Sequence, residues 1–487
     1  MGKRLQYRLP HRPNIISLLP LAPTIQAAPP DATLARIQKP AIQPFKDIST
    51  DHRLTCWTRS IHVFPAAYPR SIVGSAVHEA VLPTYLRSQD AGTIAHDIRA
   101  RNVHAERRIE SELGAVDNEP QLFIAAARYF NHSESVKTRE NQATNGEEPI
   151  TLILTHANGF HKETWEPMLA HLLLSPGGRK IKEIWALDCA NHGDSAILNR
   201  STLGLNFDWA DNARDLLNFV LLYLPEQHSS DSSLPMVLPP LDCPHPQLLQ
   251  LDKSPPLNTC GPVCWRHRRL GLMGHSLGGC ASMLAVTSIP ELFAEVTLVD
   301  PAIAPTHGTD ISAAIRLVSL AVTRQNEWES RAAALKKFRT NKTFYGRWDP
   351  LVLKRYVEHA LESDQLVKLK CNKLHEASVF TQCHGRGPEA YHRLLNLSNK
   401  NINEKQTIMP SNDQLPFRFL LILGNQAESI VPEEAVCNFG FVRMNQSGHL
   451  VVQENPLKLA VLISKHLTES RYLPPIDKAP DFTPSKL

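Results

Sequence analysis

The sequence predicts an α/β protein in which a mostly parallel, doubly wound sheet carries a helical cap insertion. Short apolar runs typical of buried strands alternate with segments of helical spacing along most of the 487 residues. One run ends in the motif Gly-His-Ser-Leu-Gly and is followed by small residues that suit a helix packed closely on a sheet. A charged, largely helical stretch at 311–397 interrupts this alternation and indicates the cap.

The N-terminal region has the weakest pattern. Residues 1–45 are rich in Pro and Ala and have no sustained period, which predicts a disordered extension. The first part of the core is expected to span residues 46–305, beginning with strands at 54–66 and 121–131.

Strands and helices alternate clearly from residue 150 onward. Apolar runs at 150–155 and 184–188 predict buried strands, and apolar positions at helical spacing over 208–224 predict a helix that Asp208 caps. The composition then changes to Ser, Pro, Leu and Cys without periodicity, which indicates an insertion at 225–267.

The second half of the chain continues the pattern on either side of the cap. A strand is expected at 294–299, and the cap itself is expected to span 306–404. The second part of the core, at 405–487, should contain a strand at 417–423 and a closing helix at 457–468.

The motif around Ser276 has the features of a nucleophile elbow, a sharp turn between a strand and a helix. Glycines two residues either side are needed because a Cβ there would collide with the neighbouring strand or helix. The Ser276 hydroxyl would then stand clear of the sheet, and the N–H of Leu277 would point to where an oxyanion forms. The backbone N–H of Asn158, in the loop after the strand at 150–155, is the expected second oxyanion donor.

A serine hydroxyl is a weak nucleophile at neutral pH, so we expect a histidine base and an acid that orients it. His449 follows the last predicted strand, which gives the chain order serine, acid, histidine. Two carboxylates compete as the acid: Asp300, at a strand end, and Glu428, in the loop after the next strand. We favour Asp300 because aspartate is the commoner acid and this one follows a clean strand end.

Composition argues against several other classes of function. Hydrophobic residues make up 42% and charged residues 21%, and the net charge of +4 is not concentrated in a basic stripe, so nucleic-acid binding gains no support. No apolar run reaches the ~18–20 residues of a membrane span. Nine scattered cysteines do not form a disulfide framework. A possible zinc set lacks finger spacing, so no metal or cofactor is expected; its members are Cys243, His245, Cys260, Cys264 and His267.

Both ends of the chain carry possible targeting signals. Ser485, Lys486 and Leu487 form the peroxisomal tripeptide, so we predict a peroxisomal protein that binds the import receptor. The N-terminus is basic, with no acidic residue before Asp31, which leaves a mitochondrial or secretory address as the alternative.

The chain resembles the α/β-hydrolase superfamily over roughly residues 54–468. More narrowly, it resembles fungal peroxisomal members, which include toxin-biosynthesis hydrolases and a yeast peroxisomal lipase. The stretches that carry this resemblance, besides the SKL end, are THANGFHKETWEPML (155–169), ALDCANHGDSA (186–196), GHSLGG (274–279) and FYGRWDPLVLKRYVEHAL (344–361).

The resemblance implies a Ser–acid–His hydrolase that acts on acyl esters or related lipid-like substrates. It places the nucleophile at Ser276 and the base at His449. The position of Asp300 is similar to that of the acid in pancreatic-type lipases, after the sixth strand. More common members have an aspartate after the seventh strand, where this chain has Ala427 or Glu428.

We therefore predict a serine hydrolase that cleaves an acyl ester of a small apolar, lipid-like or secondary-metabolite substrate through an acyl-enzyme intermediate, without a cofactor. The same motif fits an acyl-CoA thioesterase or a C–C bond hydrolase, and a non-catalytic ligand-binding protein could share the fold. Four aromatic residues of the cap could roof an acyl pocket or only pack the cap against the core: Phe344, Tyr345, Trp348 and Tyr356.

Overall fold

The computed structural model describes residues 18–22, 24, 26–37, 43–45, 51–72, 74–76, 90, 92–94, 97–98, 119–132, 149–225, 234–243, 245–253, 265–266, 268–303, 311–363, 366–381, 385–398, 415–431, 436 and 441–469. The predicted tripeptide at 485–487 lies outside these residues, as do the basic residues before Leu18. Cys260, Cys264 and His267 also lie outside them.

A nine-stranded sheet in the order β1-β2-β3-β5-β4-β6-β7-β11-β12 forms the centre of the molecule. The six strands β5, β4, β6, β7, β11 and β12 run parallel to one another, whereas β1, β2 and β3 pair in antiparallel fashion, the last of them with β5. The mostly parallel sheet predicted from the sequence is therefore confirmed. Its strands are β1 (Gln43–Pro44), β2 (Trp57–Pro65), β3 (Phe123–Asn131), β4 (Ile150–Thr155), β5 (Ile181–Leu187), β6 (Arg269–His275), β7 (Glu295–Val299), β11 (Arg418–Leu423) and β12 (Phe441–Arg443).

Helices cover both faces of this sheet, which explains why the parallel strands are almost continuously apolar. Strands β4, β5 and β7 are buried along their whole length. Helices α4, α5 and α10 contribute to the apolar cluster that contains Phe64 and Leu298, and α2 and α12 contribute to the one that contains Leu154 and Ile422. The helices of the core are α1 (Asp31–Ala35), α2 (Glu166–Leu173), α3 (Gly193–Leu198), α4 (Trp209–Asn218), α5 (Leu277–Ser288), α11 (Val451–Glu454) and α12 (Pro456–Thr468).

Between β7 and β11 the chain is largely helical, as predicted. Helices α7 and α8 and a small sheet in the order β8-β10-β9 share their own apolar cluster, whereas α10 packs against α5 of the core. No helix in the described part of the chain is long and apolar enough to cross a membrane. The elements of this region are α6 (Ile311–Thr323), β8 (Glu327–Trp328), α7 (Arg331–Thr340), α8 (Pro350–His359), β9 (Leu361–Ser363), β10 (Val367–Leu369), α9 (Lys373–Thr381) and α10 (Arg386–Ser398).

The expectation of a disordered extension at 1–45 is wrong for its described part. Leu18 and Leu21 are buried, and the peptide N–H of Leu18 donates to Asp252 Oδ2 at 2.6 Å. The guanidinium of Arg214 donates to the main-chain carbonyls of Leu19 and Pro20. These contacts are with residues far away in the sequence. They therefore leave no helical or strand periodicity in the segment itself, and its composition does not reveal them.

The described parts of the 225–267 insertion also pack against the core. Leu238, Leu248 and Trp265 are almost fully buried, and the indole N–H of Trp265 donates to the carbonyl of Val220 at 2.9 Å. Cys243 is a free, half-buried cysteine. The Pro- and Ser-rich composition therefore marks an irregular but packed segment rather than a loose loop.

Candidate active site

Ser276 lies at the turn between β6 and α5 in a conformation that L-residues rarely adopt, with φ 53° and ψ −116°. Its N–H donates to the carbonyl of Val299 at 3.1 Å, and its own carbonyl accepts from the N–H of Ala302 at 2.9 Å. These bonds tie the strained residue to the end of β7, so the surrounding structure maintains the conformation.

Two glycines of the motif allow this turn. A Cβ on Gly274 would lie 2.4 Å from the carbonyl oxygen of Gly278, and a Cβ on Gly278 would lie 2.4 Å from that of Thr155. Because these contacts are with backbone atoms, no side-chain movement could relieve them. Helix α5 thus begins directly against the ends of β6 and β4, as the motif predicts.

His449 lies between β12 and α11 and faces the serine. Its Nε2 is 2.9 Å from the hydroxyl oxygen of Ser276, a hydrogen-bond distance suited to proton transfer. The His449 side chain is 23% exposed, whereas Ser276 is 8% exposed. The structure therefore brings these two predicted residues into contact across 173 positions of sequence.

Asp300 is the carboxylate that lies behind this imidazole. Its Oδ1 is 3.5 Å from His449 Nδ1, which is longer than a usual hydrogen bond, although such bonds often shorten when substrate is bound. The Asp300 side chain is fully buried and accepts three hydrogen bonds, from the N–H groups of Gly424 and Ile430 and the hydroxyl of Ser429. These donors hold the carboxylate in place and compensate for its burial.

Glu428 occupies a different environment. Its carboxylate accepts from Arg347 Nη1 at 2.8 and 3.0 Å, and its side chain is 43% exposed. The hydrogen bonds from Arg347 lower the pKa of Glu428 below its usual value. Of the two acid candidates, the structure places Asp300 beside the imidazole, while the two residues after Glu428 donate to Asp300.

The two predicted oxyanion donors lie on adjacent segments. The N–H of Leu277 is the first of α5, so no carbonyl within the helix can accept it. Asn158 follows β4, and its side-chain amide donates to the carbonyl of Glu376 at 3.1 Å. The next peptide N–H, that of Gly159, donates to His192 Nε2 at 2.9 Å, and burial lowers the pKa of His192 well below its usual value, which keeps that nitrogen an acceptor. The role of the Asn158 N–H remains a prediction.

The cap packs directly onto the loop that carries Asn158. Phe160 of this loop lies 5.3 Å from Trp348 and 6.0 Å from Tyr356, measured between ring centroids, and both cap residues are buried. Phe344 is 45% exposed. Trp348 and Tyr356 therefore pack the cap against the core, whereas Phe344 is exposed on the cap.

Sequence reasoning missed three residues that support this arrangement. Ser429 bonds to Asp300, His275 bonds to the main chain of His449, and Glu454 bonds to the main chain of Gly448. Only His275 had a visible signal, since it lies inside the nucleophile motif. Ser429 acts across a contact between two loops, and Glu454 bonds from the end of α11 to Gly448, six positions before it; no motif in the sequence marks either bond.

Comparisons with known proteins point to one family. The model of the alpha/beta hydrolase family matches residues 152–461. The peroxisomal membrane protein LPX1 of Saccharomyces cerevisiae is 28% identical over 156 residues, which is 32% of this chain and 31% of that protein. The type I acyl-CoA thioesterase mpaH' of Penicillium brevicompactum is 29% identical over 218 residues, 44% of this chain and 40% of that protein. The matches thus span less than half of these relatives' own length.

A solved structure supports the same fold. The structure of the peroxisomal alpha-beta-hydrolase Lpx1 from Saccharomyces cerevisiae aligns with a TM-score of 0.54 and 17% sequence identity, covering 88% of this chain and 93% of that one. At this identity the likeness concerns the fold, and it confirms the predicted fold class.

Proposed function

Because the chain belongs to the alpha/beta hydrolase family, we propose that it is a serine hydrolase that cleaves an acyl ester of a lipid-like or secondary-metabolite substrate. The observation that carries the proposal is the 2.9 Å contact between His449 Nε2 and the hydroxyl of Ser276 at a strained strand-to-helix turn. A base within hydrogen-bond distance is what a serine needs to become a nucleophile.

The proposed reaction has two steps. Ser276 Oγ attacks the acyl carbonyl while His449 Nε2 takes its proton, and the imidazolium is stabilised by Asp300. The N–H groups of Leu277 and Asn158 donate to the oxyanion. His449 then gives its proton to the leaving alcohol, and in the second step it activates a water molecule that releases the acid from Ser276.

An acyl-CoA thioester is the second candidate substrate. The relatives from Penicillium brevicompactum carry the name acyl-CoA thioesterase, which favours this possibility over C–C bond cleavage. The chemistry of Ser276 and His449 would be the same, because only the leaving group changes from an alcohol to a thiol. The name of the yeast relative, a peroxisomal membrane protein, supports action in the peroxisome.

A fluorophosphonate probe tests the proposal directly, because it labels only an activated serine. We expect the wild type and the control Ser363→Ala, which changes an exposed serine of β9, to be labelled, and Ser276→Ala to remain unlabelled. Loss of Ser276 should reduce turnover on the order of 10⁶-fold. An unlabelled wild type would favour a non-catalytic binding protein.

The substrate class needs a second measurement. Purified protein would be assayed against nitrophenyl esters of graded chain length and, in parallel, against acyl-CoA thioesters of the same lengths with a thiol reagent. A kcat/KM at least about tenfold higher for esters, a difference of roughly 1.4 kcal/mol in the barrier, would support the ester proposal, and the reverse ratio would assign a thioesterase. If the protein is labelled by the probe but hydrolyses neither series, C–C bond cleavage becomes the favoured reaction.

A further inference from the structure

The backbone around His449 is held from both sides by hydrogen bonds to the side chains of two other residues. One of these side chains, the ring of His275, also packs beside the His449 imidazole, with 5.4 Å between the ring centroids. On one side, His275 Nε2 is 2.9 Å from the carbonyl oxygen of His449. On the other side, the N–H of Gly448 donates to Glu454 Oε2 at 2.6 Å. The main chain is therefore fixed by hydrogen bonds both before and after the His449 Cα.

His275 is suited to act as a permanent donor. It is the last residue of β6, a strand that pairs with β4 and β7 on its two sides, so its backbone is firmly placed. Burial lowers the pKa of His275 to about 3, so the ring is neutral at physiological pH. Because Nε2 faces a carbonyl, which can only accept, this nitrogen must carry the proton of the neutral ring.

Glu454 links the same segment to the cap. Its side chain is 7% exposed, and besides Gly448 it contacts Arg347 Nη2 at 3.1 Å. Arg347 belongs to the 3₁₀ turn Tyr345–Arg347 of the cap and also binds Glu428. The carboxylate of Glu454 thus connects the main chain before His449 with a charged group of the cap.

The backbone position of His449 determines both of its contacts. An imidazole has only two side-chain torsions, so a displaced backbone cannot keep Nε2 at Ser276 and Nδ1 at Asp300 together. A displacement of about 1 Å in a catalytic group reduces the rate about 10²-fold. The hydrogen bonds made by His275 and Glu454 therefore fix a stretch of backbone whose small displacement would strongly reduce turnover.

We propose that His275 and Glu454 are positioning residues that fix the catalytic geometry of His449, an inference that rests on the proposed function. His275 acts through the carbonyl of His449, and Glu454 acts through the N–H of Gly448. Neither residue transfers a proton in the reaction.

Paired substitutions test this proposal. His275→Met and Glu454→Met remove the two hydrogen bonds, whereas His275→Gln and Glu454→Gln retain a donor and an acceptor at nearly the same places. We expect the methionine variants to lose about 10- to 100-fold in kcat with little change in KM, and the Gln variants to recover most of that loss.

His62→Met is the matched control. His62 is also buried on a strand, its Nδ1 is 2.9 Å from the carbonyl of Pro235, and it does not touch the candidate site. It should lose stability without a change in kcat. The proposal is overturned if His275→Met and Glu454→Met stay within about threefold of wild-type kcat, against the roughly 10²-fold that misplacement costs, or if His62→Met loses as much as they do. If His275→Met does not fold, the Glu454 pair alone decides.

The fluorophosphonate probe separates this proposal from the proposed function. If the wild type is not labelled, the proposed function itself is wrong. If the wild type is labelled and the methionine variants are labelled at the same rate, only the positioning roles of His275 and Glu454 are wrong.

Discussion

Replacing Asp300 by Asn should disable the enzyme while leaving the Ser276–His449 pair in place. The new amide must place its oxygen toward the two donors Ser429 and Ile430, because an NH₂ group there would face another N–H. The amide nitrogen then faces the N–H of Gly424 instead of accepting from it. The substitution removes the negative charge that stabilises the imidazolium of His449 in the transition state.

The distance sets the expected size of the effect. A charge pair separated by 3.5 Å, the distance between Asp300 Oδ1 and His449 Nδ1, interacts by about 5 kcal/mol at an effective dielectric constant of about 20. Each ~1.36 kcal/mol changes a rate about tenfold, so kcat should fall by about 10³ to 10⁴. This agrees with the loss of about 10⁴ that the same change causes in a Ser–His–Asp protease. The unpaired N–H of Gly424 should also cost about 1–3 kcal/mol of stability.

The assay compares kcat/KM of the wild type, Asp300→Asn and Glu428→Gln with one nitrophenyl ester. Each variant must first show a cooperative thermal transition above the assay temperature. Glu428→Gln should stay within a few-fold of the wild type, because its exposed pair with Arg347 contributes about 0–1 kcal/mol. The assignment is refuted if folded Asp300→Asn keeps more than about a tenth of wild-type activity, or if folded Glu428→Gln falls about 10³-fold.

Three further predictions concern stability. Lys162→Met should lower the free energy of unfolding by about 3–5 kcal/mol in urea titration, because Lys162 is fully buried and forms ion pairs with three carboxylates. Gly278→Ala should lower the melting temperature and the activity together, because its Cβ would lie 2.4 Å from the backbone oxygen of Thr155. Between pH 6.5 and 3 the unfolded chain holds a proton on His275 that the folded chain lacks, so the free energy of unfolding decreases as the pH falls through this window. His275→Gln removes this group and should reduce the slope of the unfolding free energy against pH by about 1.4 kcal/mol per pH unit.

Each of these predictions can be contradicted by its own measurement. A loss below about 1 kcal/mol for Lys162→Met would mean that the buried carboxylates find other partners or protons. A Gly278→Ala variant with wild-type melting and turnover would show that α5 can move away from β4. An unchanged pH slope in His275→Gln would mean that His275 titrates alike in the folded and unfolded chains.

The parts of the fold that follow local rules could be predicted from the sequence. Strand β4 occupies Ile150–Thr155, as its apolar run indicates, because a parallel strand covered on both faces leaves such a run. Asp208 accepts from the N–H of Ala210 and caps α4, as its position before the helical pattern suggests. The closing helix also lies within a residue of its expected start.

Features that depend on contacts between distant segments could not be predicted in the same way. The sequence left Asp300 and Glu428 as competitors, and the difference between them lies in donors 129 and 130 positions from Asp300. The helix expected over 208–224 ends at Asn218 and continues as a π-helical turn at Phe219–Tyr223, where the chain turns toward the packed insertion. The N–H of Leu18 likewise donates to Asp252, which is 234 positions away.

The way in which the cap joins the sheet suggests how this enzyme could change its substrate range during evolution. The chain leaves the sheet after β7 and rejoins it at Arg418, the start of β11. At the other end of β11, the Asp300 N–H donates to the carbonyl of Ile422 at 2.7 Å and the Gly424 N–H donates to the Asp300 carboxylate at 2.9 Å. These bonds join the end of β7 directly to the end of β11, so none of them involves the polypeptide of the cap. Recombination that exchanges only the residues between Asp300 and Arg418 would bring in a new cap while leaving β7, β11 and the position of Asp300 unchanged.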